Sequence, residues 1–285
     1  MPLQDILYHC GIMVSSNKKD FNTDELEIPL KGGGRTDVAR RGNVVHRETG
    51  PWASTVHKLL NHLEAVGFTG APRVFGSGFD DQGRETLTYI EGEFVHPGPW
   101  SEDAMPKIGN LLGKLHKATK SFSIPDNAIW RQWYGRSLGG PEYVIGHCDM
   151  GPWNIVSQDG LPVAMIDWEV AGPVDPIFEL AQTCWLNAQL HDDDVAERVK
   201  LSSIEVRANH ARLILDGYGL PQSKRNGLVD KMIELAVCDA AEQAIEAKVT
   251  PETKDSSSLW GITWRTCSAA WMLKNRNTLV SIIEK

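Results

Sequence analysis

Residues 144–154 read VIGHCDMGPWN, which places a histidine two positions before an aspartate and an asparagine five positions after it. These residues are His147, Asp149 and Asn154, on a polar loop that follows a predicted β-strand. A second predicted strand ends immediately before Asp167. Phosphoryl transfer uses one carboxylate beside the attacking hydroxyl, and an amide oxygen and a second carboxylate that hold Mg²⁺ ions. The spacing therefore predicts a phosphoryl-transfer site.

The chain before residue 92 is predicted to form short strands and one helix. The helix is predicted over residues 54–66, where Val56, Leu59 and Leu63 recur at helical spacing. Gly67 follows and supplies a stop signal. Strand patterns bounded by turn residues lie at 26–30, 44–47, 73–76 and 86–90.

The chain after residue 91 is predicted to be mainly helical. One apolar stripe indicates a helix that ends near residue 118, before the two strands that flank the polar loop. Further helical patterns cover 177–190, 193–217, 223–247 and 257–283. The sequence thus indicates an α+β protein with two predicted domains, residues 1–91 and residues 92–285.

The segment from His147 to Ala181 resembles the catalytic and metal-binding loops of the aminoglycoside phosphotransferase family, relatives of the protein kinases. The run Asp167-Trp168-Glu169 is similar to that family's form of the kinase D-F-G motif, and residues 89–93 resemble its interlobe hinge. The resemblance covers roughly residues 26–190. It implies a bilobal protein-kinase-like fold, with a five-stranded antiparallel sheet and one helix in the N-lobe and helices in the C-lobe.

The resemblance also implies a role for each matching residue. Asp149 would be the catalytic carboxylate, and Asn154 and Asp167 would bind Mg²⁺, which prefers oxygen ligands. His147 would orient the loop by bonding backbone near Asp167. The co-substrate would be ATP or GTP, and backbone groups of Tyr89, Ile90 and Glu91 would contact its base.

A glycine-rich segment precedes the second strand pattern. Gly33, Gly34, Arg35 and Thr36 lie where the family covers the nucleotide, and backbone N–H groups there could cradle phosphates. A surface hairpin turn explains the same residues equally well.

The phosphate-binding lysine of the kinases is replaced here by His46-Arg47. Arg47 could hold phosphates as a permanently charged fork, whereas His46 could do so only when protonated. His57 takes the position of the glutamate that would pair with the lysine. Either another acid serves instead, with Glu48 and Glu64 nearest in sequence, or the phosphate-binding group is built differently.

Acidic residues are concentrated after the metal-binding motif. Asp192, Asp193, Asp194 and Glu197 form the focus of this region and are candidates for binding a cationic substrate. The alternative is a solvated helix start, since carboxylates also suit a first turn. Trp260, Trp264 and Trp271 lie on one face of a predicted helix, either as core or as the wall of a substrate pocket.

Composition excludes several classes of protein. The net charge of −8 argues against a nucleic-acid partner, and no apolar stretch is long enough to cross a membrane. Five scattered cysteines form neither a disulfide framework nor a zinc motif. With no signal-peptide pattern, we expect a soluble cytoplasmic protein that is a monomer or weak dimer.

The predicted activity is Mg²⁺-dependent transfer of the γ-phosphate of ATP or GTP to a hydroxyl of a small, cationic molecule. The resemblance makes an aminoglycoside or related antibiotic the leading substrate, so that the activity would confer resistance. One alternative is a metabolic kinase of the choline, homoserine or methylthioribose type. A second is a nucleotide-binding regulator without catalysis, because the lysine–glutamate pair is missing.

Overall fold

The computed structural model describes residues 26–30 and 38–285. Its N-terminal part is a five-stranded antiparallel sheet with the strand order β1-β2-β3-β5-β4. The strands are β1 Ile28–Pro29, β2 Val38–Arg41, β3 Val44–Arg47, β4 Val74–Phe79 and β5 Glu85–Thr88. The predicted five-stranded sheet is therefore confirmed. The register of β3 and β5 sets Arg47 opposite Glu85 and His46 opposite Thr86.

One helix, α1 (Ala53–Ala65), packs on this sheet and agrees closely with the prediction. Its apolar residues Leu59, Leu60 and Leu63 are fully buried, as the spacing indicated. The helix ends where Gly67 adopts a φ of 78°, a conformation that favours glycine. The backbone N–H of Phe68 then donates to the carbonyl of Leu63 and closes the last turn.

Strand β4 is longer than predicted and is irregular between Val74 and Phe79. Gly76 and Gly78 both have positive φ, which allows the bulge. A Cβ on Gly78 would lie 2.5 Å from Nδ1 of His57, so this glycine makes room for the histidine of α1. The bulge and the helix histidine therefore depend on each other.

The segment after β5 leads to helix α2 (Met105–Thr119), and the predicted domain boundary after residue 91 lies within it. Here Glu93 forms a backbone bridge with Ser157. Two short antiparallel pairs follow, β6 Val144–Gly146 with β9 Gly172–Val174, and β7 Ile155–Gln158 with β8 Leu161–Met165. The sequence analysis found β6 and β8 but missed their partners, because short strands flanked by loops give little periodicity.

The remaining helices are α3 Pro176–Asn187, α4 Asp193–Arg198, α5 Ile204–Tyr218, α6 Leu228–Glu246, α7 Ser256–Lys274 and α8 Arg276–Ile283. Two long helical patterns are thus divided. The pattern over 193–217 breaks where Lys200 has a φ of 56°. The pattern over 257–283 breaks at Asn275, whose backbone is not helical.

Helices α2 and α5 approach each other closely, backbone to backbone. A Cβ on Gly109 would lie 1.9 Å from the carbonyl oxygen of Ile214, and one on Gly217 would lie 2.0 Å from that of Pro106. Neither position has room for a side chain. Within the part of the chain that the structure describes, no helix is long and apolar enough to cross a membrane.

A buried histidine supports a first prediction, on stability. His191 is 8% exposed, and burial together with Arg207 lowers its pKa to about 3. Between about pH 6.5 and pH 3 the unfolded chain therefore binds a proton that the folded chain excludes. In this range each unit by which the pH is lowered reduces the free energy of unfolding by about 1.4 kcal/mol. His191→Gln removes this contribution, so unfolding curves should depend less steeply on pH in this range. An unchanged slope would contradict it.

Candidate active site

His147 joins the two loops that carry the predicted site. It follows β6 directly, and its Nε2 donates to the carbonyl oxygen of Ile166 at 2.8 Å. Its Nδ1 accepts from the backbone N–H of Asp149 at 3.3 Å. Burial lowers the pKa of His147, which agrees with a neutral ring that donates at one nitrogen and accepts at the other. The contacts are those expected of a residue that orients the loop.

Asp149 and Asn154 face each other across a tight turn. The turn is a 3₁₀ segment, Pro152–Asn154, and Nδ2 of Asn154 donates to Oδ2 of Asp149 at 2.9 Å and to its backbone carbonyl at 3.1 Å. Because the amide nitrogen is held by Asp149, the amide oxygen is directed away from it. The backbone N–H of Ile166 donates to the carbonyl of Asn154 at 2.9 Å, which fixes this turn beside the second loop.

The electrostatic environment of Asp149 suits proton transfer. Burial, with added repulsion from Asp167 and Asp239, raises the pKa of Asp149 to about 7. The hydrogen bond from Asn154 acts in the opposite direction. A carboxylate with a pKa near 7 can accept a proton at neutral pH far better than an ordinary aspartate.

Asp167 faces the N-terminal sheet. Its backbone is left-handed, with φ 61° and ψ 64°, and this conformation turns the chain sharply after β8. Oδ1 of Asp167 accepts from Nη1 of Arg47 at 2.6 Å, and the aspartate side chain is 38% exposed. Asp167 therefore lies in an open cleft between the sheet and the loop, in contact with strand β3.

The carboxylate that pairs with Arg47 is Glu85 on β5 and not Glu48 or Glu64, the two acids nearest in sequence. Nε of Arg47 donates to Oε2 of Glu85 at 2.7 Å. His57 of α1 contacts the other oxygen, with 2.9 Å between Nε2 and Oε1. The cross-strand register would have revealed this pair, but the strand predicted over 86–90 began one residue too late.

His46 points away from Asp167. Its Nδ1 lies 2.9 Å from Oδ2 of Asp80, which also accepts from Nε of Arg84 at 2.8 Å. Adjacent residues of a strand face opposite sides of the sheet, so only one of the pair His46-Arg47 can face the cleft. The structure selects Arg47.

The predicted nucleobase contacts lie on the segment after β5, and part of their backbone is already in use. The N–H of Tyr89 donates to the carbonyl of Asn43 at 2.9 Å, and the carbonyl of Glu91 accepts from Nε2 of Gln158 at 2.9 Å. The guanidinium of Arg40 stacks on the Tyr89 ring, 3.6 Å from its centroid. Ile90 lies between these two anchored residues. Gly33, Gly34, Arg35 and Thr36 fall outside the described residues.

The acidic triplet after α3 is largely engaged in local structure. Oδ1 of Asp192 caps α4, accepting from the N–H groups of Asp194 and Val195. Asp193 accepts from Nε1 of Trp271 at 2.8 Å, and Asp194 pairs with Arg198 at 3.0 Å. Glu197 is exposed on the same helix. These contacts correspond to the alternative of a capped helix start.

A second set of acids, which sequence reasoning missed, lies on α6. Asp239, Glu242 and Glu246, here called the α6 carboxylates, recur at helical spacing and so share one face. Burial raises the pKa of Asp239, and burial with repulsion from Asp239 and Glu246 raises that of Glu242 to about 7. Repulsion from Asp239 contributes to the raised pKa of Asp149, so this member of the set acts on the site electrostatically. Acids at this spacing look like an ordinary solvent-facing stripe in a sequence.

Two arginines hold the segment after Asp167. Arg131 pairs with Glu169 and, at 3.3 Å, with Glu246 of the α6 carboxylates. Arg136 donates to the backbone carbonyls of Val170, of Ala171 at 3.2 Å and of Pro173 at 3.1 Å. The segment between the motif and α3 is thus fixed by charged side chains from residues 131–136.

An aromatic cluster adjoins the catalytic loop. Trp153 lies on that loop and meets His96 and Trp264 edge-on, with ring centroids 5.5 Å and 6.4 Å apart respectively. Trp264 in turn contacts Trp185 at 5.7 Å and His191 at 5.3 Å. Of the predicted tryptophan stripe, Trp271 is buried and Trp264 is half-buried beside the site. Part of the stripe is therefore core and part lies next to the loop.

Glu179 of α3 accepts a hydrogen bond from the backbone of the loop that carries Asp149. It is fully buried, with Oε1 accepting from the N–H of Cys148 at 2.7 Å and Oε2 lying 2.7 Å from Nε2 of His116. Although burial opposes it, the hydrogen bond from His116 lowers the pKa of Glu179. A Cβ on Gly146 would lie 1.9 Å from Oε2, so the glycine allows the carboxylate to reach the loop.

The oxygen donors at the site fit a magnesium ion. Mg²⁺ is usually bound by one or two protein oxygens together with substrate phosphates and water. The amide oxygen of Asn154 and the carboxylate of Asp167 are donors of this kind, brought together by the bond between Ile166 and Asn154. Within the described ranges, no group of three or more His, Cys, Asp or Glu residues could hold a metal alone.

Comparison with known proteins identifies one relative along nearly its whole length. The chain is 65% identical over 253 residues to the trifolitoxin immunity protein of Rhizobium leguminosarum bv. trifolii, covering 89% of this chain and 97% of the relative. The profile of the phosphotransferase enzyme family matches residues 122–212, which include the loop of Asp149 and the strand before Asp167.

Solved structures share the fold at low sequence identity. An amicoumacin kinase in complex with AMP-PNP, Ca²⁺ and Ami has a TM-score of 0.63 at 13% identity, over 94% of this chain and 91% of that chain. A choline/ethanolamine kinase family protein from Mesorhizobium loti has a TM-score of 0.55 at 16% identity, over 92% and 94%. Aminoglycoside 2'-phosphotransferase-IIIa has a TM-score of 0.54 at 12% identity, over 86% and 93%.

These matches confirm the expected bilobal, protein-kinase-like fold. They agree with the motif at residues 147–169, which the family profile includes. The chain belongs to the phosphotransferase enzyme family, the family of the aminoglycoside phosphotransferases, and it is a relative of the trifolitoxin immunity protein.

Proposed function

We propose that this protein transfers the γ-phosphate of ATP or GTP to a hydroxyl of a small cationic toxin or antibiotic, with Mg²⁺. The observation that carries the proposal is the arrangement of Asp149, Asn154 and Asp167. Asn154 holds the carboxylate of Asp149 at 2.9 Å, and Asp167 faces the cleft from the adjoining loop. This set supplies a proton acceptor and two metal ligands within one small site.

Asp149 would act on the attacking hydroxyl. Its pKa of about 7 lets the carboxylate orient the substrate O–H and accept its proton as the new bond to phosphorus forms. Asn154 keeps the carboxylate fixed, which favours one orientation of the acceptor. His147 fixes the backbone on which both residues stand.

Asn154 and Asp167 would hold the metal through their oxygens. When bound, Mg²⁺ neutralises charge on the phosphates during transfer. Carboxylates exceed cationic side chains around the cleft, where Arg47 contacts Glu85, Asp167 and Glu169 together. An excess of negative charge favours a site that binds nucleotide together with metal ions.

The substrate class rests on the α6 carboxylates and on the relatives. Asp239 acts electrostatically on Asp149, and both Asp239 and Glu242 are partly shielded from water. A carboxylate shielded in this way attracts an ammonium group more strongly than an exposed one. The relative's name refers to immunity against trifolitoxin, and one structural match is a kinase bound to the antibiotic amicoumacin. Phosphorylation of a toxin would account for immunity.

The aromatic cluster favours a second candidate. Trp153, Trp264 and His96 cluster beside the loop of Asp149, and the Arg265 guanidinium stacks on Trp264, 4.4 Å from the ring centroid. Aromatic rings of this kind attract cations, including alkylammonium groups. A metabolic kinase for a choline-type amino alcohol would use them. A nucleotide-binding regulator without catalysis fits less well, because it has no need of a proton acceptor such as Asp149 near the γ-phosphate of the nucleotide.

The test is nucleotide turnover by the purified protein with Mg²⁺, with ATP and GTP in parallel. Aminoglycosides, cationic peptide antibiotics and amino alcohols serve as separate acceptor classes. Stimulation by an antibiotic class supports resistance, and stimulation by amino alcohols alone supports the metabolic alternative. Nucleotide binding without stimulated turnover by any class would favour the silent regulator.

Arg47→Ala should weaken binding of the magnesium nucleotide by about 10- to 100-fold, because a charged hydrogen-bond donor to phosphate contributes about 1.5–3 kcal/mol. His46→Ala should change it far less, since His46 contacts Asp80 on the other side of the sheet. Titration of a fluorescent nucleotide measures both variants. The reverse ranking would show that His46 is the residue that reaches the phosphates.

Asp239→Asn should raise KM for a dicationic or polycationic acceptor about 10-fold and leave KM for the nucleotide unchanged. The variant removes charge but keeps an oxygen that can accept from Nε1 of Trp133. The matched comparison neutralises Asp192, Asp193 and Asp194 together, because their carboxylates contact the first turn of α4, Trp271 and Arg198. A larger KM effect from the triplet would restore it as the substrate site.

A further inference from the structure

The carboxylate that holds Arg47 lies in the sheet and not on the helix. Arg47 and Glu85 are directly opposite in the register of β3 and β5, with Nε and Oε2 2.7 Å apart. Helix α1 supplies His57, which contacts Oε1 of the same carboxylate at 2.9 Å. Both oxygens of Glu85 therefore have partners, one from the adjacent strand and one from the helix.

Burial makes this arrangement rigid. Glu85 is 2% exposed, Arg47 is 8% exposed and His57 is 7% exposed. A carboxylate and a guanidinium removed from water to this extent are stable only while paired. The ring of His57 is itself held between Gly78, which has no side chain, and Phe79, whose ring centroid lies 4.9 Å away.

The pairing decides where the guanidinium points. Because Nε is held by Glu85, the planar group directs its two terminal nitrogens toward the cleft. Nη1 reaches Asp167 at 2.6 Å and Nη2 lies 3.8 Å from Glu169. Without Glu85, Arg47 would retain only these two acids, and nothing would fix the orientation of its guanidinium plane.

We propose that Glu85 is the positioning residue of the phosphate-binding arginine, replacing a helix carboxylate by a cross-strand one. The inference rests on the proposed function, since it assigns Arg47 to the nucleotide phosphates. Its second part concerns His57, which fills the space between helix and strand and contacts Oε1 of Glu85, the oxygen that Arg47 does not use. The phosphate-binding group is thereby fixed by the sheet, with α1 acting through Glu85.

The first experiment measures nucleotide affinity and steady-state kinetics of Glu85→Gln. The amide keeps the shape and one acceptor but loses the charge that fixes the guanidinium. We expect Kd and KM for magnesium ATP or GTP to rise about 10- to 100-fold, with KM for the acceptor unchanged. Asp80→Asn is the matched control, because it removes the carboxylate that His46 contacts on the opposite side of β3 and should leave nucleotide affinity unchanged.

The second experiment moves the carboxylate to the helix. The variant Glu85→Ala removes it, and Glu85→Ala with His57→Glu provides one from α1 into the space that is left. We expect the double variant to recover at least half of the lost nucleotide affinity on a logarithmic scale. A purely structural role for Glu85 predicts no recovery, and thermal unfolding of both variants separates loss of folding from loss of positioning.

The outcomes separate this inference from the proposed function. If the wild-type chain binds no magnesium nucleotide, the proposed function fails. If it binds nucleotide and Glu85→Gln binds equally well, the positioning role of Glu85 is wrong while the proposed function stands. Equal loss of affinity for nucleotide and acceptor in Glu85→Gln would also overturn the inference, because it would indicate general damage to the cleft.

Discussion

Asp149→Asn is expected to lower kcat about 10²- to 10⁴-fold while leaving nucleotide binding intact. Asparagine has nearly the same shape as aspartate and can still accept from Nδ2 of Asn154. It cannot accept a proton from the attacking hydroxyl at neutral pH. The rate should therefore fall without a loss of structure, and initial rates at saturating nucleotide and acceptor measure the effect.

Asp159→Asn is the matched control for this variant. Asp159 lies in the exposed turn between β7 and β8 with a φ of 52°, a conformation that asparagine also tolerates. Its kcat should equal that of the wild-type chain. Equal rates for Asp149→Asn and wild type would contradict the assignment of Asp149 as the proton acceptor, whatever the substrate.

Glu179→Ala is expected to lower the free energy of unfolding by about 2–6 kcal/mol, because it leaves two buried groups without their partner and each such loss costs about 1–3 kcal/mol. The Cys148 N–H and His116 would both lose the carboxylate that they contact at 2.7 Å. Chemical denaturation measures the change. Because Cys148 precedes Asp149, loosening of this backbone should also lower kcat in the fraction that remains folded.

Glu234→Ala provides the comparison, since Glu234 is exposed on α6 and surface substitutions usually change stability by less than about 0.5 kcal/mol. A loss below about 1 kcal/mol in Glu179→Ala would show that the loop does not depend on the carboxylate beneath it. Retention of stability in Glu179→Gln with loss in Glu179→Ala would identify shape and hydrogen bonding, more than charge, as the main contribution.

The loop that carries Asp149 could be predicted from sequence because its motif is local. His147, Asp149 and Asn154 are close along the chain, and one strand carries Asp167 to them. The helix α1 was equally clear from its apolar spacing. Both follow from short-range patterns that need no knowledge of which strands are neighbours.

The partner of Arg47 could not be found in this way. Glu85 lies 38 residues away, and only the pairing of β3 with β5 sets it opposite Arg47. The same holds for the α6 carboxylates, whose relevance depends on where α6 packs relative to Asp149. Conversely, Asp192 to Asp194 stood out as a run of charge, although they form a helix cap, a hydrogen bond with Trp271 and a pair with Arg198.

The most direct test is the mass of the acceptor after incubation with the protein, Mg²⁺ and nucleotide, followed by phosphorus NMR of the product. We expect a gain of one phosphoryl group, joined to oxygen as a monoester, on a cationic toxin or antibiotic. Asp149→Asn should form the same product at least about 100-fold more slowly. A phosphorylated acceptor formed equally fast by that variant, or nucleotide hydrolysis that leaves every acceptor unmodified, would contradict phosphoryl transfer through Asp149.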